Sequence, residues 1–490
     1  MTEANSLLLI STLAGWAYFF LTIIFILIVI MRRRPVGVSL SWLLLLFILP
    51  GAGIVLFLLF GNKRLGTKRL RRVQTLAPTY SDWIQHMRQL LAQDKTRTQL
   101  GALQSNRVYS FAEHTGRIPA TSGNRLRLFH NTQSIYSNLI KDIDSAESSI
   151  LMEFYILETG GWVDQTLIAL KNAAQRGVTC RLLLDAVGSS TFLRSEKAME
   201  LKAAGIHVQA SLPVGPIRML FERIDLRNHR KLVIIDDLVA WTGSLNLVDP
   251  ALFKQEAGVG QWIDAMVRIA GPAAHVNGSI FNYDWVLETG ENIPIYNQSL
   301  LYNHPADGNV AMHVVPSGPG ADRTTIHMVL LCAIYESQKE LIITTPYLVP
   351  DEALVTALCS AAMRGVKVTL ITPENNDSRL VHYASRSYYD DLLQAGICIM
   401  HFKGGLLHTK CVLIDQKTVL FGTVNLDMRS VWLNFEITLI IYNEAFGQNA
   451  SELLEEYIVQ SQKVSPVEWQ KRAVLERLRE NTAQLLSPLL

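Results

Sequence analysis

Apolar residues are arranged in two different ways along the chain. From Leu7 to Ile30 they form a nearly uninterrupted, uncharged run, and a second run from Val36 to Phe60 is broken by Pro50, Gly51 and Gly53. A helix that crosses a bilayer needs about 20 such residues, so the first run predicts a spanning helix. The second either spans with a kink or dips in and returns. No basic residue precedes the first run and its apolar part is too long for a cleaved signal, so both read as anchors. Past residue 120 the apolar runs are short and strand-like (Leu182 to Leu184, Leu232 to Ile235, Val368 to Ile371, Val412 to Ile414) and alternate with helical stretches. That alternation is the signature of an α/β layered unit with a largely buried sheet.

The α/β pattern occurs twice. Ala173-Ala174-Gln175-Arg176-Gly177-Val178 matches Ala361-Ala362-Met363-Arg364-Gly365-Val366, each closing a helix and entering a strand. Ala204-Gly205-Ile206 matches Ala395-Gly396-Ile397, and Phe154-Tyr155 and Pro346-Tyr347 end corresponding strands. The sharpest match is His229-x-Lys231-x4-Asp236-x6-Gly243-Ser244-x-Asn246 against His408-x-Lys410-x4-Asp415-x6-Gly422-Thr423-x-Asn425. Two such halves paired about a pseudo-two-fold axis would set the two histidines across one cleft.

These residue types suit phosphodiester chemistry. Breaking a P–O bond without a metal needs a nucleophile, an acid for the leaving oxygen, and fixed positive charge or donors around the non-bridging oxygens. Imidazole attacks as the neutral base and donates as the cation, so His229 and His408 can divide that work. Lys231, Lys410, Asn246 and Asn425, with the hydroxyls of Ser244 and Thr423, are the candidate phosphoryl-binding groups. Side chains alternate faces along a strand, so each His shares a face with its Lys while Asp236 and Asp415 fall on the other. The two aspartates complete the candidate catalytic set, but their parity reads as a structural anchor at the strand end. A working histidine usually has an orienting carboxylate, and the next apolar strand of each copy carries one acid, Asp264 and Glu436. His-x-Lys puts an ammonium where a divalent ion would sit, so no metal and no other cofactor is expected. Ser317-Gly318-Pro319-Gly320 lacks the phosphate-loop pattern and reads as a turn; His382, His401 and Trp432 read as packing or loop residues.

Charge separates possible substrates. Residues 1–72 hold nine basic groups and one acid, a balance of +8, against 36 basic and 42 acidic groups in the remainder, a balance of −6. A nuclease body would be basic; here the positive charge lies beside the apolar runs, where it can meet anionic lipid. The expected substrate is a phospholipid and no nucleic-acid partner is expected. Arg32, Arg33 and Arg34 follow the first run, and Lys63, Arg64, Lys68, Arg69, Arg71 and Arg72 follow the second. The excess places the body in the cytoplasm whether the second run spans or re-enters. Five scattered cysteines suit a reducing compartment. The expected organisation is a membrane anchor over 1–60, a basic juxtamembrane connector over 61–120, halves at 121–300 and 301–460, and a helical tail over 461–490. The tail reads as an ordinary packed helix, with a membrane-lying helix as the other reading.

At the two motifs the chain resembles the phospholipase D superfamily, and over its whole length it resembles the bacterial cardiolipin synthases. The stretches that carry the resemblance include Asp225-Leu226-Arg227-Asn228-His229-Arg230-Lys231, Gly258-Val259-Gly260-Gln261-Trp262-Ile263-Asp264, Ala384-Ser385-Arg386-Ser387-Tyr388-Tyr389 and Asn425-Leu426-Asp427-Met428-Arg429-Ser430. The resemblance implies two phospholipase D-like halves forming one cleft, preceded by two hydrophobic membrane segments. It implies transfer of a phosphatidyl group between two phosphatidylglycerol molecules, giving cardiolipin and glycerol through a phospho-histidine, in the bacterial inner membrane. The residues alone reach only phosphodiester transfer at a membrane. They leave open a phospholipase D that uses water and a phosphatidyltransferase with another alcohol acceptor.

Overall fold

The computed structural model describes residues 3–32, 36–61, 66–93, 97–115, 118–215, 223, 225–296, 308–319 and 325–485. Arg33, Arg34, Lys63, Arg64 and Gly320, which entered the expectations above, lie outside the described residues. The chain divides into two units, Met1–Gly66 with Val214–Asp225 and Thr67–Pro213 with Leu226–Leu490.

The first unit is helical. Glu3–Met31 is one helix, and its Thr12–Met31 segment, with mean hydropathy 2.6, is long and apolar enough to cross a membrane. The second apolar run is two helices, Val36–Ile48 and Pro50–Phe60. Pro50 cannot donate to the preceding turn and sits at the first position of a new helix, where its fixed φ is favourable. The helices fold back on each other at that point. Trp42 meets Phe57 edge-on at 5.2 Å, although fifteen residues of continuous helix would separate them by about 22 Å. Gly53 makes the return possible, because a Cβ there would come within 2.9 Å of the Leu45 carbonyl oxygen. Val29, Leu46, Ile54 and Phe57 form the small core of this unit.

The second unit is built on one sheet. Its strands in chain order are β1 (Thr121–Phe129), β2 (Ser149–Phe154), β3 (Thr179–Asp185), β4 (His207–Ser211), β5 (Leu232–Ile235), β6 (Val239–Gly243), β7 (Trp262–Ile263), β8 (Met266–Ala270), β9 (Val310–Ser317) and β10 (Glu340–Thr344). They continue as β11 (Leu348–Val349), β12 (Lys367–Pro373), β13 (Cys398–Phe402), β14 (Leu406–Leu407), β15 (Cys411–Ile414), β16 (Thr418–Gly422), β17 (Leu426–Asp427), β18 (Glu436–Tyr442) and β19 (Ser461–Lys463). Among the described residues fifteen of them form one sheet in the order β19-β13-β12-β10-β15-β16-β18-β9-β1-β8-β6-β5-β2-β3-β4. On either side of the antiparallel β9–β1 pair the order corresponds: β18 or β8, beside the Glu436 or Asp264 acid, then the hairpin β16–β15 or β6–β5 that follows the His-x-Lys motif, then β10 or β2. Parallel strands lie beyond it.

Helices cover the sheet and three apolar clusters fill the layers. The run Leu232–Ile235 is buried at every position, as a strand covered on both faces requires. The helix Thr67–Gln93 packs on the helix Pro272–Thr289 through Tyr80 and Tyr283, with Trp83 edge-on to Tyr80. Two of its basic residues are committed to that contact: Arg69 pairs with Glu288, and Arg72 donates to the carbonyls of Leu287, Glu288 and Thr289 at 2.6–3.2 Å. They cap a helix C-terminus, so the basic cluster expected to face lipid is smaller than its count by these two. The strand β19 lies past residue 460 and pairs with β13, so the segment after 460 enters the sheet before its last helix begins.

Candidate active site

The motif spacing follows from a hairpin. His229 and Lys231 precede β5, four residues of strand follow, and Asp236 opens the turn into β6 with φ +54°. Asp415 does the same between β15 and β16 with φ +49°. Aspartate tolerates the left-handed region better than most residues. The Asp236 carboxylate accepts from the backbone N–H of Glu147, Ser148 and Ser149 at 2.7–2.9 Å, and that of Asp415 from Gln338, Lys339 and Glu340 at 2.8–3.0 Å. Those bonds hold Asp236 below the usual carboxylate range against partial burial. Both aspartates therefore tie the hairpin turn to the start of β2 or β10. In these bonds the donors are backbone N–H groups at the start of β2 and β10, none of them from His229, Lys231, His408 or Lys410.

The glycines also have a structural reason. A Cβ at Gly243 or Gly422 would collide with the carbonyl oxygen of Ala265 or Ile437 on the adjoining strand. This close approach lets the next hydroxyl bond the neighbouring backbone. Ser244 Oγ accepts from the Ala265 N–H at 3.0 Å and donates to Asp264 Oδ1 at 2.6 Å. Thr423 Oγ1 accepts from the Ile437 N–H at 2.9 Å.

The orienting carboxylates are exchanged between the motif copies. His229 Nδ1 lies 2.9 Å from both oxygens of Glu436, which belongs to the second copy. His408 Nδ1 lies 2.7 Å from Asp264 Oδ1, which belongs to the first. Backbone bonds fix the exchange: the His229 N–H donates to the Phe435 carbonyl at 2.9 Å, and the His408 N–H to the Ile263 carbonyl at 2.8 Å. Around them β7 pairs with β14, and Asn228 bridges Phe435. With Nδ1–H donating to a carboxylate, each neutral ring keeps its lone pair on Nε2.

Lys231 and Lys410 are buried, and each ammonium donates to the carbonyl of its own motif histidine, at 2.8 Å and 2.6 Å. Each also lies in the field of both carboxylates. Burial pulls Lys231 down to about 8 and lowers Lys410 as well. Burial likewise pulls His229 and His408 down to about 4, with the lysines acting in the same sense and Glu436 and Asp264 opposing. Burial works to raise Asp264 and Glu436, but the histidine bonded to each, and after it Lys410 or Lys231, holds both below the usual carboxylate range. Burial thus favours the neutral form of each imidazole, and its partners favour the anionic form of each acid.

Asn246 Oδ1 accepts from the Ile156 N–H at 3.3 Å. Asn425 Oδ1 and Asp264 Oδ2 are buried without a partner among the described residues. Three site neighbours were not singled out from sequence. Tyr155 lies edge-on to His229 at 5.1 Å, Trp262 lies against His408 at 4.4 Å, and Asn434 donates to Glu436 at 3.2 Å. Tyr155 directly follows β2, Trp262 opens β7 and Asn434 shortly precedes β18, so position beside a strand was their only available signal. His401 bonds Tyr389 and Trp432 packs on His327, outside this cluster; His382 packs on Tyr383. Gly318 turns at φ +151° against Phe435. Among the described residues no group of three or more His, Cys, Asp or Glu side chains is arranged to hold a metal ion.

Comparison with known proteins gives concordant findings. The family described as "Cardiolipin synthase, PLD-like domain" matches residues 139–283 and 330–458. Cardiolipin synthase A of Edwardsiella ictaluri is 43% identical over 485 residues, covering 98% of this chain and 99% of the relative. Cardiolipin synthase A of Serratia proteamaculans is 42% identical with the same coverage of each. Among solved structures, phosphatidylserine synthase of Haemophilus influenzae superposes with a TM-score of 0.57 at 14% identity, over 79% of this chain and 100% of that one. That likeness speaks to the fold.

Proposed function

We propose a mechanism from one premise: the chain belongs to the cardiolipin synthase family, and it is a phosphatidyltransferase. The residues 121–300 and 301–460 act as two pseudo-symmetric halves that share one cleft. Phosphatidylglycerol is both donor and acceptor. Nε2 of one histidine attacks the phosphorus of the first lipid, forming a P–N bond as the P–O bond to its glycerol headgroup breaks. The other histidine supplies the proton that the departing glycerol oxygen takes. Neutral again, it removes the proton from a headgroup hydroxyl of the second lipid. That oxygen attacks the phosphorus, the P–N bond breaks, and cardiolipin is released.

One observation carries this reading. Each Nδ1 is fixed on a carboxylate of the opposite copy, so both Nε2 atoms are left available in one cluster with two buried ammoniums. Burial keeps the rings neutral at rest, which suits the attacking base. An entering phosphodiester anion favours the imidazolium that the acid step needs. Lys231, Lys410, Asn246 and Asn425 hold the non-bridging oxygens, and Ser244 and Thr423 brace the strands beneath them. Asp264 and Glu436 are positioning residues.

The helix within Thr12–Met31 anchors the protein in the bacterial inner membrane. The folded-back pair Val36–Ile48 and Pro50–Phe60 re-enters on the same side, which leaves the catalytic body in the cytoplasm with the basic residues. Purified protein given labelled phosphatidylglycerol as its sole lipid should yield cardiolipin and glycerol. Mainly phosphatidic acid, or a requirement for a nucleotide-activated lipid, would overturn the transfer.

A further inference from the structure

The helix Val474–Leu485 presents the wrong face to solvent for a packed surface helix. Such a helix normally turns its apolar stripe to the core and its charges outward. Here the inward residues are Glu480, 1% exposed, and Ala483. Glu480 receives Arg386 Nε at 2.8 Å and pairs with Arg472 Nε at 3.2 Å. Arg472 in turn stacks on Trp469 at 3.7 Å. The polar side is thus satisfied by the protein, while the apolar side is not: Val474, Leu475, Leu478 and Leu485 are 80%, 57%, 60% and 80% exposed.

Those four residues fall on one arc of about 100°, within which Thr482 is the one polar residue and turns its hydroxyl back to the Leu478 carbonyl at 2.7 Å. Arg477 and Arg479 stand at its two borders, and Lys471 precedes it. Arg479 pairs with Glu476 and Arg472 with Glu480, so Lys471 and Arg477 leave the segment with a positive excess. An apolar stripe bordered by Lys and Arg describes a helix lying in a membrane interface, its stripe among the acyl chains and its cations at anionic headgroups. The position is useful as well. The helix packs on Arg379–Ser387, and the segment just before that helix carries Asp377. Asp377 accepts from Tyr347 at 2.9 Å and from Lys254 at 3.3 Å. Lys254 lies over Trp262, the ring against His408.

We propose that Val474–Leu485 is a second membrane contact, lying flat in the headgroup region of an anionic bilayer and holding the rim of the histidine cluster at the lipid surface. The inference does not depend on the identity of the reaction. A photoreactive benzoylphenylalanine at position 478 of the full chain, reconstituted in vesicles of phosphatidylglycerol and phosphatidylethanolamine, should crosslink to lipid. The same group at Gln484, off the stripe, should not. A crosslinked dimer from position 478 would mean that the stripe meets a second copy, and no adduct at all would mean that it faces water; either result overturns the proposal. Leu475→Asp combined with Leu478→Asp should lower turnover in vesicles while sparing turnover of a short-chain, water-soluble phosphatidylglycerol. Equal rates for variant and parent on vesicles would also overturn it.

Discussion

Glu436→Gln should silence a histidine 207 residues away. Both carboxylate oxygens lie 2.9 Å from His229 Nδ1, and Asn434 Nδ2 supports one of them at 3.2 Å. Glutamine keeps the volume but replaces one acceptor oxygen with a donating NH2. The imidazole can then take the other tautomer, with its proton on Nε2, the atom that must attack or accept. Loss of a carboxylate in this role costs about 10⁴ in kcat in a well-studied triad. At 1.36 kcal/mol per tenfold, that is about 5.4 kcal/mol of activation free energy. Electrostatics add to it in the same direction, because Glu436 is the strongest influence holding the His229 proton against burial. The assay is the initial rate of cardiolipin formation from labelled phosphatidylglycerol in mixed micelles, with products resolved by thin-layer chromatography. A circular-dichroism melt verifies folding. Asp264→Asn should act equally strongly, through His408. A folded Glu436→Gln protein within tenfold of the parent rate would refute the exchanged-carboxylate reasoning.

Removing a hairpin anchor should damage stability and spare chemistry. Asp236→Ala leaves three backbone N–H groups without their shared acceptor and should cost about 2–4 kcal/mol, read as a lower melting temperature with KM unchanged. Acid should destabilise the protein ahead of the carboxylate range. His229, His401 and His408 sit near 4 when folded against an ordinary 6.5, so between those values the unfolded chain binds more protons and stability falls as pH falls. A denaturant midpoint that is flat from pH 6.5 to 4 would contradict this. EDTA should leave the rate unchanged, because Lys231 and Lys410 supply the positive charge; activity lost with chelator and restored by one divalent ion would expose a missed metal. Excess glycerol should convert cardiolipin back to phosphatidylglycerol, as expected where one primary alcohol replaces another, and cardiolipin inert to glycerol would count against a shared phosphatidyl intermediate.

Much of the local structure was legible because it rests on short-range rules. Strand parity separated Asp236 and Asp415 from the His and Lys of their motifs, and the break at Pro50 could be read from a proline that cannot donate. The alternation of strand and helix gave the α/β class. What could not be read depends on distant groups meeting. Asp264 and Glu436 were recognisable as acids on the following strands, but their exchange is decided by the Ile263–His408 and Phe435–His229 backbone bonds, which no local pattern encodes. The basic count beside the apolar runs included Arg69 and Arg72, whose partners on the helix Pro272–Thr289 lie more than 200 residues away. For the last helix, composition gives its mixed charge but not that Glu480 and Ala483 are the residues turned inward.

The exchange bears on why such a site would be built by duplication at all. A half with its histidine held by its own acid could assemble alone, and a solitary imidazole could attack phosphorus but would lack a separate acid for the leaving oxygen. Each Nδ1 bonds a carboxylate of the opposite motif copy, so under the proposed mechanism a histidine would be oriented only when both copies are in place, and nucleophile and acid would assemble together. The same burial that depresses the imidazoles excludes bulk water from the resting cluster: His229, Lys231, His408 and Lys410 are at most 9% exposed. In the proposed transfer a phospho-histidine formed there would meet few waters, and an acceptor lipid at the membrane surface would be concentrated beside it. Water would otherwise prevail through its bulk concentration, so exclusion and proximity are the two terms that favour transfer over hydrolysis.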